Sequence, residues 1–311
     1  MDALHSGWDD GRWDYLIAYG VGALIVILAV GFPNQFRRSL LRWFGDDQPA
    51  RPAAEPMDAA LLTGRIKRLV RPTLLLVPTT EPGFSKLGGD PELPVGLAWP
   101  RGYERPRTCL CQIDLAALPQ NAIDWMPHEG RLYAFYDHDS HGLADVVRVL
   151  HSAEPAGPPA VAPKGVWRRF HERRVTFSAR TSAPSFDWLG MAAHEAGLDD
   201  AAIDGLEVLA DAPPSDEVQH RIGGYPNEIQ PERMWLSCEH LARGLPDPVW
   251  DEEIPPAIER AAKQWRLLLQ IDSDSDLKMN FGDGGRLYVF IRERDARRAD
   301  FSKTVTLWQT Y

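Results

Sequence analysis

The sequence predicts an α+β protein in which a β-rich domain with an internal pseudo-duplication follows one N-terminal transmembrane helix. Two observations predict this organisation. The first is an uninterrupted apolar run near the N-terminus, and the second is a set of three short motifs that recurs later in the same order. The expected division is a short extracytoplasmic N-terminus (1–14), a transmembrane helix (15–34), a linker (35–56) and a folded domain (57–311).

The apolar run Tyr15–Phe32 contains no charged residue. At about 1.5 Å rise per residue it nearly spans a hydrocarbon core. Aspartates precede the run, whereas Arg37, Arg38 and Arg42 follow it, and this asymmetry predicts a cytoplasmic C-terminal domain on the inner membrane. A cleaved signal peptide would begin with basic residues, and a buried core helix would have a polar face, so both alternatives fit less well.

Composition excludes nucleic acid as a partner, because the formal net charge is −10. The basic clusters at 65–71 and at 168–174 lie among acids elsewhere. The first cluster lies near the anchor and could touch anionic lipid, but we favour a solvated helix face. The three cysteines, Cys109, Cys111 and Cys238, cannot form a full disulfide set, which agrees with a reducing compartment. Cys111 is expected to be a small core residue.

Secondary structure begins after the linker, where Gly45–Glu55 is rich in Pro, Ala and charge. Helices are predicted at Asp58–Leu69, Met191–Ala210 and Pro256–Leu268, the last beginning with prolines, where a missing N–H costs nothing. The Pro-rich stretch Glu154–Lys164 has few packing residues and is predicted to be a surface loop or a hinge.

Three motifs of the first half recur in order in the second half, at unequal spacing. The first copies are Lys86–Gly89, Gln112–Asp114 and Gly130–Phe135, and their counterparts are Arg221–Gly224, Gln270–Asp272 and Gly285–Phe290. We therefore predict pseudo-repeats at about 72–151 and 172–311, with an insertion between the first two motifs of the second copy. The Gly-Gly pairs predict tight turns with positive φ, and the other motifs predict buried strands.

These motifs resemble those of the YwqG-like family of bacterial proteins, which is named as a domain of unknown function. The resemblance covers roughly Pro72–Tyr311 and implies the compact α+β fold of that family, without an established activity. One departure is Phe281, which stands before the last motif where Trp is commoner in the family. The motifs that carry the resemblance are SKLGGDPELP (85–94), LCQIDLAALP (110–119), GRLYAFYD (130–137), HRIGGYPNEIQ (220–230), WRLLLQIDSD (265–274) and GDGGRLYVFI (282–291).

Matching positions of the two copies give the candidate binding residues. Asp114 and Asp272 would form a carboxylate pair for binding or acid–base work if a pseudo-twofold brought them together, with matching cations to neutralise them. The alternative is that each Asp ends a strand and accepts N–H groups of the following turn. The six candidates are Lys86, Gln112, Asp114, Arg221, Gln270 and Asp272.

Two acidic segments offer possible metal ligands, although no cofactor is expected. Asp272, Asp274 and Asp276 alternate as in calcium loops, but the Gly and Glu positions of an EF-hand loop do not match, and a turn capped by aspartates is the alternative. The segment 137–141 holds two aspartates (Asp137, Asp139) and two histidines (His138, His141), which suit zinc if the loop folds back.

Searches for GxSxG, Walker, dinucleotide, HExxH and CxxC motifs find none. We therefore favour a membrane-anchored module that binds a protein or peptide, since the 11 tryptophans suit an aromatic interface. The alternative is an enzyme or small-ligand receptor that acts through Asp114 and Asp272.

Overall fold

The computed structural model describes residues 69–140, 145–184, 218–230, 232–248 and 254–311, all within a compact unit that spans Asp58–Tyr311. The predicted transmembrane helix (15–34), the linker (35–56) and the helix Met191–Ala210 lie outside the described residues, as does the helix Asp58–Leu69 except for its last residue. Within the described ranges, no helix combines the length and the apolar character needed to cross a membrane.

One antiparallel sheet of ten strands dominates the described part of the unit, where the fold is β-rich and the helices are few and short. Its order is β10-β9-β8-β7-β1-β6-β2-β3-β4-β5. The strands are β1 Arg71–Pro78, β2 Lys86–Leu87, β3 Thr108–Asp114, β4 Arg131–Tyr136, β5 Val147–Ser152, β6 Arg173–Ser182, β7 Arg221–Gly223, β8 Trp265–Asp272, β9 Arg286–Arg292 and β10 Val305–Gln309.

The strand order is symmetric about the central pair β1 and β6. If each of β1 to β5 is exchanged with the strand five positions later in the chain, the order is simply reversed. Consequently, the first strand of each half lies against the second strand of the other half, β1 on β7 and β6 on β2. The two halves therefore share strands across their boundary and cannot separate without breaking this pairing.

The register of the outer strands also matches between the halves. Lys86 faces Gln112 as Arg221 faces Gln270, and a register shift interrupts β3 between Cys109 and Cys111 and β8 between Leu267 and Leu269. The predicted strands at these motifs are thus confirmed. Descent of the halves from a duplication stays a prediction.

The sheet packs on both faces. Its inner face forms the main apolar core, with Leu87, Cys111, Ile113, Ile222 and Ile271 among the buried residues. The outer face of the first half carries a smaller cluster of Leu93, Cys109, Tyr133 and Phe135. The outer face of the second half carries Met234, Cys238, Trp265, Leu267, Tyr288, Phe290, Val305 and Leu307.

All three cysteines are buried and free, and burial raises the pKa of the Cys111 thiol to about 12. The prediction that Cys111 is a core residue is confirmed. Desolvation opposes the thiolate at each of the three positions, so these thiols are unreactive packing groups.

Two helices lie between β7 and β8 in the chain, in the segment where the sequence predicts an insertion. Helix α1 (Met234–Ala242), which sequence analysis missed, packs Met234 and Cys238 on the outer cluster. Helix α2 (Pro256–Ala262) begins with proline as predicted. The predicted extension of this helix to Leu268 is wrong, because Trp265 onward pairs with β9 and the ladder outweighs helical propensity.

The remaining helical segments are short, namely α3 (Glu293–Ala296) and two 3-10 turns, η1 (Leu115–Ala117) and η2 (Phe301–Lys303). The stretch Glu154–Lys164 has neither helix nor strand, which confirms the predicted loop. Both Gly-Gly pairs have the predicted positive φ, for example 61° at Gly88 and 71° at Gly223.

The two edge strands of the sheet approach each other, so the sheet is nearly closed. The Val147 amide at the start of β5 donates a hydrogen bond to Thr306 Oγ1 in β10 at 3.3 Å. Phe301 of η2 is buried and lies 5.3 Å from the His151 ring of β5, measured between ring centroids. This seam protects edge amides that would otherwise be open to pairing with another chain.

Candidate functional site

Lys86 and Gln112, two of the six predicted site residues, belong to one buried network on the outer face of the first half, whereas Asp114 at the end of β3 is only partly buried. Gln112 is fully buried, and its side chain donates to Phe84 O at 2.7 Å and accepts from the Glu92 amide at 2.8 Å. Lys86 Nζ bonds Glu172 at 2.7 Å, and the Asp114 carboxylate accepts from the Ala116 amide at 3.2 Å. The network braces the loop that follows β2.

The other three predicted residues form the matching network in the second half. Gln270 donates to Gln219 O at 3.2 Å and to Asp272 at 2.8 Å, and accepts from the Asn227 amide at 2.9 Å. Burial lowers the pKa of Arg221 to about 10, although the nearby Asp272 opposes this shift. Most buried polar groups here have a structural partner, as is usual for such groups, although Arg221 Nε has none among the described residues.

The structure does not bring Asp114 and Asp272 together. Strands β3 and β8 are five steps apart in the sheet order, and the two carboxylates share no hydrogen-bond partner. Asp114 caps the η1 turn, whereas Asp272 accepts from the Gln219 amide at 2.8 Å and lies 3.2 Å from Arg286 Nε. The geometry matches the expected alternative in which each Asp ends its strand.

The acidic run after β8 is held by cations of the protein itself. Asp274 accepts from Arg173 at 2.8 Å and Asp276 accepts from the same guanidinium at 3.0 Å. The Asp272 amide donates to His220 Nδ1, which leaves Nε2–H to face Asp274 at 3.4 Å. This hydrogen bond is the main cause that lowers the pKa of Asp274 to about 2.

Metal binding has no preformed set of ligands in the described part of the chain, where no group of three or more His, Cys, Asp or Glu is suitably arranged. Asp274 also accepts from the amides of Asp276 and Leu277 and so caps its own turn. Asp137 pairs with Arg107, and Asp139 pairs with Arg105 at 2.7 Å. His141 of the second predicted cluster lies outside the described residues.

A cleft of about 800 Å³ opens at the end of the sheet where β8 finishes and β6 and β7 begin. We call it the basic cleft, because three of its described lining residues are cationic and none is acidic. Its lining consists of Arg168, Arg169, Val218, Ser273, Ser275, Lys278, Met279, Asn280 and Gly284.

The three cations of the basic cleft differ in whether they form ion pairs with other side chains. Arg169 forms an ion pair with Asp90. The side chains of Arg168 and Lys278 are exposed and have no hydrogen-bond or ion-pair partner among the residues that the structure describes. Lys278 has φ of 57°, a left-handed conformation that is uncommon for a residue with a side chain. Two uncompensated positive charges therefore face this cleft.

A group of aromatic side chains includes Trp167, the residue directly before the cleft residue Arg168. Trp167, which precedes Arg168, is 59% exposed, and the Arg105 guanidinium lies 4.8 Å from its ring centroid. His138 lies 6.2 Å from Trp167 and 4.4 Å from Tyr136, between ring centroids. Burial and then the charge of Arg168 lower the pKa of His138 to about 4, so the imidazole is neutral at physiological pH.

Sequence reasoning missed this cleft because its walls come from three separated segments. The basic cluster at 168–174 was visible in the sequence but was assigned no role, and within it Arg173 is occupied by Asp274 and Asp276. No signal singled out Lys278. The useful signal would have been the positive φ at a Lys in a short turn, which sequence does not reveal.

The observations define a β-rich, two-half antiparallel domain with a basic cleft at one end, in which Asp114 and Asp272 lie apart. The family profile described as "Domain of unknown function (DUF1963)" matches residues 85–310, and the chain belongs to this family. A search of curated proteins finds no match.

Proposed function

We propose that this protein is a binding module that takes a protein or peptide partner in the basic cleft. The observation that carries the proposal is a concave site of about 800 Å³ with three cationic residues and no acidic one among its described lining. Sites of roughly 300–1,000 Å³ are typical for ligand recognition. In a protein of net charge −10, a local positive site is a departure from the average surface.

Trp167 supports a macromolecular partner. Its ring is held by Arg105 on one side yet remains more than half exposed. Trp and Arg are the residue types that most often dominate protein interfaces, and a rigid exposed Trp loses little conformational entropy on binding. A partner that enters the cleft past Trp167 would find both apolar and charged contacts.

Three finer features are part of the proposal. We propose that residues 15–34 anchor the domain to the inner membrane with the cleft in the cytoplasm, as the flanking charges indicate. We also propose that the chain is YwqG-like within its family and that its halves arose by duplication, supported by the paired motifs and matching register. The enzymatic alternative has less support, since neither Asp114 nor Asp272 lines the basic cleft.

The test is affinity capture with the full-length chain in matched variants. One variant carries Arg168→Glu and Lys278→Glu in the cleft. The control carries Arg260→Glu and Arg298→Glu, two exposed arginines outside the cleft that give the same change of charge. We expect a saturable partner whose recovery falls in the cleft variant and persists in the control. Equal recovery with both variants, or no saturable partner, would contradict the proposal.

A further inference from the structure

We infer that the segment of the partner bound in the basic cleft is acidic, with its carboxylates facing Arg168 and Lys278. This inference rests on the proposed function and names the chemistry of its ligand. The observations that carry it are the distribution of charge around the cleft, the bonded amides of residues 276–279 in the β8–β9 turn and the apolar groups beside the cations.

Two acids on the turn that carries Lys278 are engaged by another cation of the protein. Asp274 and Asp276 lie on the same turn as Lys278, but both are bound by Arg173 on the side of β6. The turn is fixed to the segment before β6 by the His171 amide, which donates to Leu277 O at 2.9 Å. The described cleft lining thus presents positive charge without an internal counter-ion.

A compact phosphate-type anion fits the centre of the β8–β9 turn poorly, because four successive amides there, those of residues 276–279, are already bonded. Phosphate sites normally use several backbone N–H groups that point at the ligand. Here the Asp276 and Leu277 amides donate to Asp274, and the Lys278 and Met279 amides donate to backbone carbonyls of the turn. The Ser273 hydroxyl is also engaged, since it donates to Gly285 O at 2.8 Å.

Long cationic side chains on two segments suit carboxylates that are spread along a chain. Arg168 belongs to the loop before β6 and Lys278 to the β8–β9 turn, so one extended ligand would touch both segments. Val218, which is 55% exposed, adds an apolar contact to the same lining. Arg can bind a carboxylate in a bidentate manner, and Lys adds a mobile point charge.

The experiment measures fluorescence anisotropy of labelled peptides with the full-length protein. One peptide alternates Glu and Ser, and the matched peptide has Gln in place of every Glu. We expect saturable binding of the Glu peptide and not of the Gln peptide. The Arg168→Glu, Lys278→Glu variant should weaken binding by about tenfold or more, because two attractions become repulsions. The Arg260→Glu, Arg298→Glu control should bind as the unaltered protein does.

Each other outcome overturns the inference. Equal binding of both peptides would show that charge does not select the ligand. Full competition by inorganic phosphate at concentrations that leave ionic strength unchanged would assign a phosphate site instead. Preferential binding to vesicles with anionic lipid, lost in the cleft variant, would assign a membrane surface. If the Glu peptide fails while a partner is still captured through the cleft, only the acidic chemistry is wrong; if both fail, the proposed function is wrong too.

Discussion

At the scale of the residue, burial decides what each polar group does. Gln112 and Gln270 are fully buried, and each holds a loop by accepting one amide and donating to one carbonyl. An unpaired buried amide or carbonyl costs about 1–3 kcal/mol, so these pairings fix the loops after β2 and β7. Arg168 and Lys278 differ because they are exposed, and no described residue neutralises them. Both exposed cations lie outside the repeated motifs.

His138 provides a prediction at this scale. Its pKa of about 4 arises first from burial and next from Arg168, so Arg168→Gln should raise the pKa and leave it below the ordinary value. The unfolded chain, with a His pKa of about 6.5, binds more protons than the folded one between about pH 4 and 6.5. The free energy of unfolding should therefore fall as pH drops through this range.

The measurement is an NMR titration of His138, with Arg169→Gln as the neighbouring control. Arg169 is not among the leading causes of the lowered pKa, so its substitution should change the titration less than Arg168→Gln does. An unaltered protein that titrates near 6.5 would show that His138 is solvated. An equal change of the His138 pKa in both variants would show that the charge of Arg168 affects His138 no more than that of Arg169 does.

At the scale of the element, tight turns position the strands. Gly88 has φ of 61°, and a Cβ built on it would lie 2.1 Å from His171 O. The segment that contains His171 also carries Arg168 and Arg169 and leads into β6. Close packing of the turn after β2 therefore contributes to placing one wall of the basic cleft.

Substitution of Gly88 and of a control glycine by Ala separates two contributions to the loss of stability, the steric clash and the left-handed backbone strain. Gly96 is the matched control, since its φ is 87° and nothing lies within 4 Å of the added Cβ. Gly96→Ala should cost only the left-handed strain, about 1–2 kcal/mol. Gly88→Ala should cost more, about 3 kcal/mol or above, because the carbonyl must move. Urea unfolding measures both, and equal losses would contradict the close approach.

At the scale of the whole unit, the near closure of the sheet depends on contacts between its first and last strands in the sheet order. The Thr306 hydroxyl, fully buried in β10, accepts from the Val147 amide of β5. Thr306→Val should leave that amide unpaired, lower the free energy of unfolding by about 1–2 kcal/mol and speed its hydrogen exchange. Thr304→Val, just before β10, is the control. Unchanged protection of Val147 would show that the seam does not depend on this bond.

The sequence predicts local elements of this unit better than it predicts the unit as a whole. Gly-led apolar runs mark β4 and β9, and the Gly-Gly turns follow from their chemistry. The central pairing of β1 with β6 was not predicted, because strands so distant in sequence leave no local signal. Helix α1 has no side-chain N-cap bond to mark its start. The basic cleft was not predicted for a related reason, since its lining comes from segments that are distant in sequence.

The most direct test of the central claim is a hydrogen-exchange footprint of the full-length protein with its partner or with the Glu peptide. We expect added protection at 167–171 and 273–280, the two segments that supply Arg168 and Lys278 to the basic cleft. Little change is expected at 84–92 and 112–117, around the first buried network. Protection confined to that network, with the cleft segments unaffected, would contradict the assignment of the basic cleft as the binding site.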